Sequence, residues 1–165
     1  MTRHNARRNR LQSADFAAAL DTIRRNMLGL EWAVIGGVAV AFHANPPVTV
    51  DIDVLLYGDR SIEDDLRGRM TDWGMKRLWF PSSSMRGLPQ HGWQFRHETG
   101  FQAECDILLT GMDGYLRQVV QRAKPQASGV CVATPEDIVV MKSMIGRDKD
   151  WEDIQELTRM LNRMM

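Results

Sequence analysis

Three acidic residues in apolar surroundings carry the chemistry open to this sequence. Asp51 and Asp53 stand two residues apart in Val48-Thr-Val-Asp-Ile-Asp-Val-Leu-Leu56, whose β-branched and aliphatic residues predict a buried strand. Side chains alternate along a strand, so both carboxylates point to one face. Two like charges side by side in an apolar strand repel and resist desolvation, and a divalent cation relieves both problems. Asp106 lies in Phe101-Gln-Ala-Glu-Cys-Asp-Ile-Leu-Leu109, a second strand-like run. Placed beside the first, it completes a set of hard oxygen donors suited to Mg²⁺ or Mn²⁺. Glu104 shares its parity and reads as a fourth ligand or a rim residue. The plainer alternatives are a solvated edge strand for Asp51 and Asp53, and a strand-end cap or salt-bridge partner for Asp106. Val48, Val50, Ile52, Val54, Leu55 and Leu56 place apolar groups on both faces and argue against the edge strand.

Gly36-Gly37 supply a second element of chemistry. They separate the strand-like Glu31-Trp-Ala-Val-Ile35 from the helix-like Val38-Ala-Val-Ala-Phe42. Locally this is a tight strand-to-helix turn. Functionally, glycine lets backbone N–H groups approach phosphate oxygens closely. The Asp pair, fifteen residues on from Gly36, gives the cradle reading its weight.

The elements that must position these groups follow from pattern and punctuation. Residues 1–12 read as a flexible basic arm with Arg3, Arg7, Arg8 and Arg10; a disordered tail is the plain reading and an RNA clamp the functional one. Ser13 and Asp15 can cap a helix to about Leu28, with Phe16, Leu20, Ile23 and Leu28 as its stripe. A strand at 31–35, a helix at 38–44 broken by Asn45-Pro46-Pro47, and a strand at 48–57 come next. Ser61-Ile-Glu-Asp64 resembles a capping box for a helix to Trp73, closed by Gly74. Strands are predicted at 75–80 and 93–98, joined by an 81–92 loop, and at 101–109 and 130–133. A helix spans about 113–123. Thr134-Pro135-Glu136-Asp137 is a helix start with proline at the first position, and that helix ends near Gly146. A last helix begins near Lys149 or Asp150. The order predicts a mixed α/β (α+β) fold, with helices on a sheet of about five strands, forming one domain over 13–165 with a helical tail from about 134.

Composition excludes little. The chain has 165 residues, 44% hydrophobic and 25% charged, as a soluble globular domain would. Lys plus Arg and Asp plus Glu number 21 each, so net charge gives no steer toward nucleic acid. Cys105 and Cys131 have no metal-ligand spacing and read as buried thiols of a reducing compartment. With no apolar run long enough to span a bilayer and no signal-type core, the expected location is cytoplasmic, away from membranes.

Gly36-Gly37, then Thr49-Val50-Asp51-Ile52-Asp53, then Asp106, then Thr134–Lys142 through Arg147–Ile154, resembles the DNA polymerase β-type nucleotidyltransferase superfamily. Within it the chain is similar to small nucleotidyltransferases of the abortive-infection, toxin–antitoxin type. The resemblance spans about Trp32 to Leu157. It departs at Pro46-Pro47-Val48, where such proteins often carry an arginine, and at Gly-Gly, where many have Gly-Ser. It implies a nucleotidyltransferase fold with a C-terminal helical tail. It also implies Mg²⁺ or Mn²⁺ held by Asp51, Asp53 and Asp106, which would be both metal ligands and catalytic residues. Gly36, Gly37, Thr49 and Lys142 would contact the nucleotide. The implied partners are an NTP, a hydroxyl acceptor (a tRNA 3′ end, a protein or a small molecule) and an antitoxin protein.

Lys142 also has a plain reading, a surface lysine lying along its helix. Arg147, Lys149, Asp150 and Asp153 read as a helix junction held by local ion pairs and capping. His43 reads as structural, facing the cleft, whereas His91, in the predicted loop, could meet substrate. The alternative to an enzyme is a catalytically inactive nucleotidyltransferase-like binding module.

Overall fold

The computed structural model describes residues 13–44, 51–72, 74–78, 90–96 and 102–165. The basic arm, Thr49, the Pro46-Pro47-Val48 stretch and residues 81–89 of the predicted loop lie outside the described residues.

Helix α1 (Ser13–Asn26) leads to strand β1 (Trp32–Ile35), and helix α2 (Gly36–His43) follows without a gap. Strand β2 (Asp51–Leu56), a 3-10 turn at Arg60–Ile62 and helix α3 (Glu63–Asp72) come next. Strands β3 (Lys76–Leu78), β4 (Gln90–Arg96) and β5 (Gln102–Leu109) precede helix α4 (Gly114–Arg122). The short strands β6 (Lys124–Pro125) and β7 (Cys131–Val132) lead into helix α5 (Pro135–Ile145). A 3-10 turn at Asp148–Asp150 then opens helix α6 (Trp151–Met164).

Among the described residues the strands form one sheet in the order β3-β4-β5-β2-β1-β7-β6. The fold is the expected mixed α/β arrangement, with a sheet wider than the five or so strands read from sequence. The additional width is in very short elements: β6 and β7 have two residues each, too few to show an alternation. The sheet is mixed, because β2 runs antiparallel to β1 but parallel to β5, and β1 runs parallel to β7. Strand β4 starts at Gln90 and not at Trp93: His91 and Gly92 pair with Ile107 and Asp106 of β5, which draws the end of the predicted loop into the ladder.

Local chemistry accounts for the element ends. Asp113 caps α4 by accepting from Leu116 N at 3.0 Å. Thr134 caps α5, and Gly146 closes it at φ 67, both as the sequence predicts. Asp59, not Ser61, caps the turn before α3, accepting from Ser61 N at 2.8 Å. Helix α1 stops two residues before Leu28, which is 62% exposed and not part of its stripe. The guanidinium of Arg69 instead bonds the carbonyls of Asn26 and Leu28, at 3.1 and 2.6 Å, satisfying that helix end.

One core runs through the molecule. Ile52, Val54 and Leu56 of β2, with Cys105, Ile107 and Leu109 of β5, form its fully buried sheet face. On the other face, Leu55 and Leu108 are buried while Asp51, Asp53, Glu104 and Asp106 are only partly covered. That face is thus apolar at one end of the strands and acidic at the other.

Candidate active site

The sheet register brings the acids together. Asp53 is the direct partner of Asp106 across the β2–β5 pair, and Asp51 is the partner of Glu104. Paired residues project to the same face, so four carboxylates occupy one patch. Strand β4 adds Gly92 opposite Asp106 and Gln94 opposite Glu104. A glycine at that position leaves the approach to Asp106 without a side chain. His91 pairs with Ile107, so it projects to the far face of the sheet, where its Nε2 lies 3.5 Å from Glu63. It is therefore not a loop residue of the acidic patch.

Charge repulsion in the patch is strong. Burial, with the charges of Asp106 and Asp51 adding to it, pushes the Asp53 carboxyl up to about 7. Burial, then Asp51 and Glu104, pushes Asp106 up to about 6. The neighbouring carboxylates thus add to burial in disfavouring the ionised forms of Asp53 and Asp106. The same carboxylates, with burial as the larger cause, keep the Cys105 thiol protonated. Cys105 and Cys131 are both free thiols.

The donor set fits a hard divalent cation: carboxylate oxygens on rigid strands whose mutual repulsion a cation would cancel. Among the described residues, no three His, Cys, Asp or Glu side chains already converge closely enough to hold a metal ion.

Gly36 lies against this patch. Ile35 is the register partner of Asp53, so the turn into α2 begins beside that carboxylate. Gly36 has φ +66, and a Cβ there would lie 3.1 Å from both Cβ and Cγ of Asp53, and closer still to Oδ2. The positive φ and the crowding by Asp53 together favour glycine here, apart from any phosphate. Helix α2 has no side-chain cap on its first turn, so the N–H groups at its start have no capping acceptor beside the acidic patch.

Helix α5 packs against α2 in the opposite sense. His43, at the C-terminal end of α2, bonds the carbonyl of Ala133 at 2.9 Å, just before α5 begins. His43 is thus structural, as read from sequence. The last turn of α5 carries Lys142. That lysine is not a surface residue: its side chain is 7% exposed and its Nζ meets Asp150 at 2.8 Å and Asp153 at 2.9 Å. Arg147 Nε bonds the same Asp150 at 2.8 Å but stays half exposed. Burial opposes the charge of Asp150, and the bonds from Arg147 and Lys142 more than offset it, so its carboxyl sits below the usual range. Both cations act on Asp53, Arg147 more than Lys142, though they reduce rather than reverse its upward shift. The junction pairs locally, as expected, but a buried lysine at its centre was not foreseen.

No protein-family profile and no curated protein matches this chain. Solved structures do. An antigenic nucleotidyltransferase-like protein from Paracoccidioides brasiliensis aligns over 92% of this chain and 78% of its own, with TM-score 0.58 and 17% identity. The lincosamide antibiotic adenylyltransferase LnuA, lincomycin-bound, aligns over 92% of this chain and 99% of its own, with TM-score 0.55 and 14% identity. A provisionally assigned nucleotidyltransferase from H. pylori aligns over 77% of this chain, with TM-score 0.50 and 13% identity; the alignment covers 56% of that protein. The chain has the fold of nucleotidyltransferase-like proteins.

Proposed function

We propose that this protein is a metal-dependent nucleotidyltransferase that moves a nucleoside monophosphate from an NTP to a hydroxyl acceptor. The observation that carries the reading is the placement of Asp53 beside Asp106, with Asp51 on the same face and the Gly36 turn against them. Mg²⁺ or Mn²⁺ would be held by Asp51, Asp53 and Asp106, where it would neutralise phosphate charge and acidify the acceptor hydroxyl. Asp106 faces the open side left by Gly92 and is the residue to accept the hydroxyl proton. The acceptor oxygen then forms its bond to the α-phosphorus in line, and the bond to the bridging oxygen breaks. Pyrophosphate leaves with that electron pair. The first turn of α2, at Gly36 and Gly37, would receive the phosphates on backbone N–H groups, and Thr49, two residues before Asp51 in sequence, would add a nucleotide contact.

A tRNA 3′ end, a protein hydroxyl and a small molecule are the acceptors to test; the fold likeness to LnuA adds antibiotics to the small-molecule set. A cytoplasmic toxin role, held in check by an antitoxin, rests on the sequence resemblance. The reading of residues 13–165 as one nucleotidyltransferase-like domain with a basic arm over 1–12 rests on chain length and composition. No helix among the described residues is long and apolar enough to cross a membrane.

The binding-module reading has one specific support: the Lys142 ammonium is committed to Asp150 and Asp153 and not offered to a ligand. Incubation with each of the four α-labelled NTPs, Mg²⁺ and pooled tRNA, protein or small hydroxyl compounds separates the two. Metal-dependent labelling of an acceptor supports the enzyme. Nucleotide binding without labelling of any acceptor replaces it with the module.

A further inference from the structure

We infer that Arg147 meets the phosphate chain of the triphosphate, and that Asp150 is the positioning residue that holds its guanidinium for that contact. The inference rests on the nucleotidyltransferase reading and extends it to a residue whose sequence suggests only a local ion pair.

The acidic patch presents four carboxylates, and a polyphosphate approaching it needs cations beyond any metal. Among the described residues, Arg147 and Lys142 lower the Asp53 carboxyl, Arg147 more than Lys142. Lys142 is buried with its ammonium shared between two carboxylates, so it has little freedom to turn outward. Arg147 differs. Its side chain is 50% exposed, and its bonds to Asp150 use Nε and Nη2. Among the described residues Nη1 makes no hydrogen bond. A guanidinium anchored on one edge and open on the other suits two-point contact with phosphate oxygens.

The fold aims it. The His43–Ala133 bond ties the C-terminal end of α2 beside the start of α5, and α5 packs against α2, whose other end is the Gly36 turn. Gly146 then ends α5 in a left-handed conformation, and Arg147 is the first residue after it. Asp150, 2% exposed, receives both Lys142 and Arg147, which ties the guanidinium to the buried base of the junction.

The test is calorimetric binding of inorganic tripolyphosphate with excess Mg²⁺ to the full chain, a readout that needs no acceptor and no turnover. Arg147→Gln should weaken binding about tenfold to a hundredfold, the loss expected for charge-assisted bonds to an anion. Arg147→Lys should recover part of it, because charge returns without the two-point geometry. Asp150→Asn should weaken binding less than Arg147→Gln. Arg159→Gln, in an exposed pair on α6, should bind as wild type does. Wild-type affinity in Arg147→Gln overturns the inference and leaves the enzyme reading standing. If Arg147→Gln does not fold, Arg147→Lys decides: several-fold weakening supports the contact, and unchanged affinity overturns it. If the wild type binds no tripolyphosphate, this inference and the nucleotidyltransferase reading fall together.

Discussion

Gly36 and Asp53 occupy each other's space: the glycine hydrogen points where a methyl group would collide with the carboxylate. The strand-to-helix turn and the most strongly perturbed acid of the patch are therefore one structural unit. Gly36→Ala should destabilise the protein by roughly 1–3 kcal/mol, through strain at positive φ and the collision together. Part of that loss should vanish in the background of Asp53→Ala, where the colliding atoms are gone. Urea denaturation of the four proteins gives the coupling; strict additivity would show that the two residues do not share the space.

Asp53 and Asp106 give a pH signature without metal. An unfolded aspartate titrates near about 3.9, whereas burial and neighbouring charge raise Asp53 to about 7 and Asp106 to about 6. The folded protein holds protons that the unfolded chain has released. The associated stability is full below about pH 4 and is lost as pH rises through 6 to 7. In chelator, Asp53→Asn should gain on wild type across that window, by on the order of 3 kcal/mol. Asp106 adds in the same direction, reduced by solvent screening. Saturating Mg²⁺ should stabilise wild type near pH 8 and leave the Asp51→Asn/Asp53→Asn variant unmoved. A wild-type-to-variant gap that does not change with pH would contradict the repulsion described for the patch.

How far this site was legible beforehand depended on what each signal encodes. Asp51 and Asp53 were readable because a period of two fixes their common face whatever the sheet does. Their pairing with Asp106 was a conjecture, since strand order is a long-range property and only the β2–β5 register settles it. The caps at Thr134 and Gly146 were readable from single residues. The sequence offers Lys142 a surface place or a nucleotide contact and does not show its burial, because its two partners lie eight and eleven residues on, across a helix break that periodicity cannot follow. Gly36 reads from sequence as a turn and as a phosphate cradle; that Asp53 crowds it needs the β1–β2 register.

Lys142 makes a stability prediction of its own. Lys142→Ala leaves Asp150 buried with Arg147 as its remaining cation partner among the described residues. Removing one member of a buried ion cluster costs about 3–5 kcal/mol, and the lower end is expected here because Arg147 persists. Denaturant titration measures it. A change below about 1 kcal/mol would mean that the buried cluster is not a structural one.

Asp106 should divide chemistry from binding. Asp106→Asn removes the proposed proton acceptor, so it should slow transfer more than it weakens NTP affinity, on the order of a hundredfold against a few-fold. Gly37→Val should do the reverse, by keeping phosphates off the backbone. Equal losses in rate and affinity for Asp106→Asn would give it a binding role instead.

Asp51 and Asp53 acting as one metal-holding unit is the central claim, and single-turnover transfer of an α-labelled NTP in Mg²⁺ tests it most directly. Wild type should label an acceptor. Asp51→Asn and Asp53→Asn should each abolish nearly all of that labelling, and the double variant should be scarcely worse than either. Labelling that survives in Asp53→Asn, or that proceeds equally in chelator, would contradict the account.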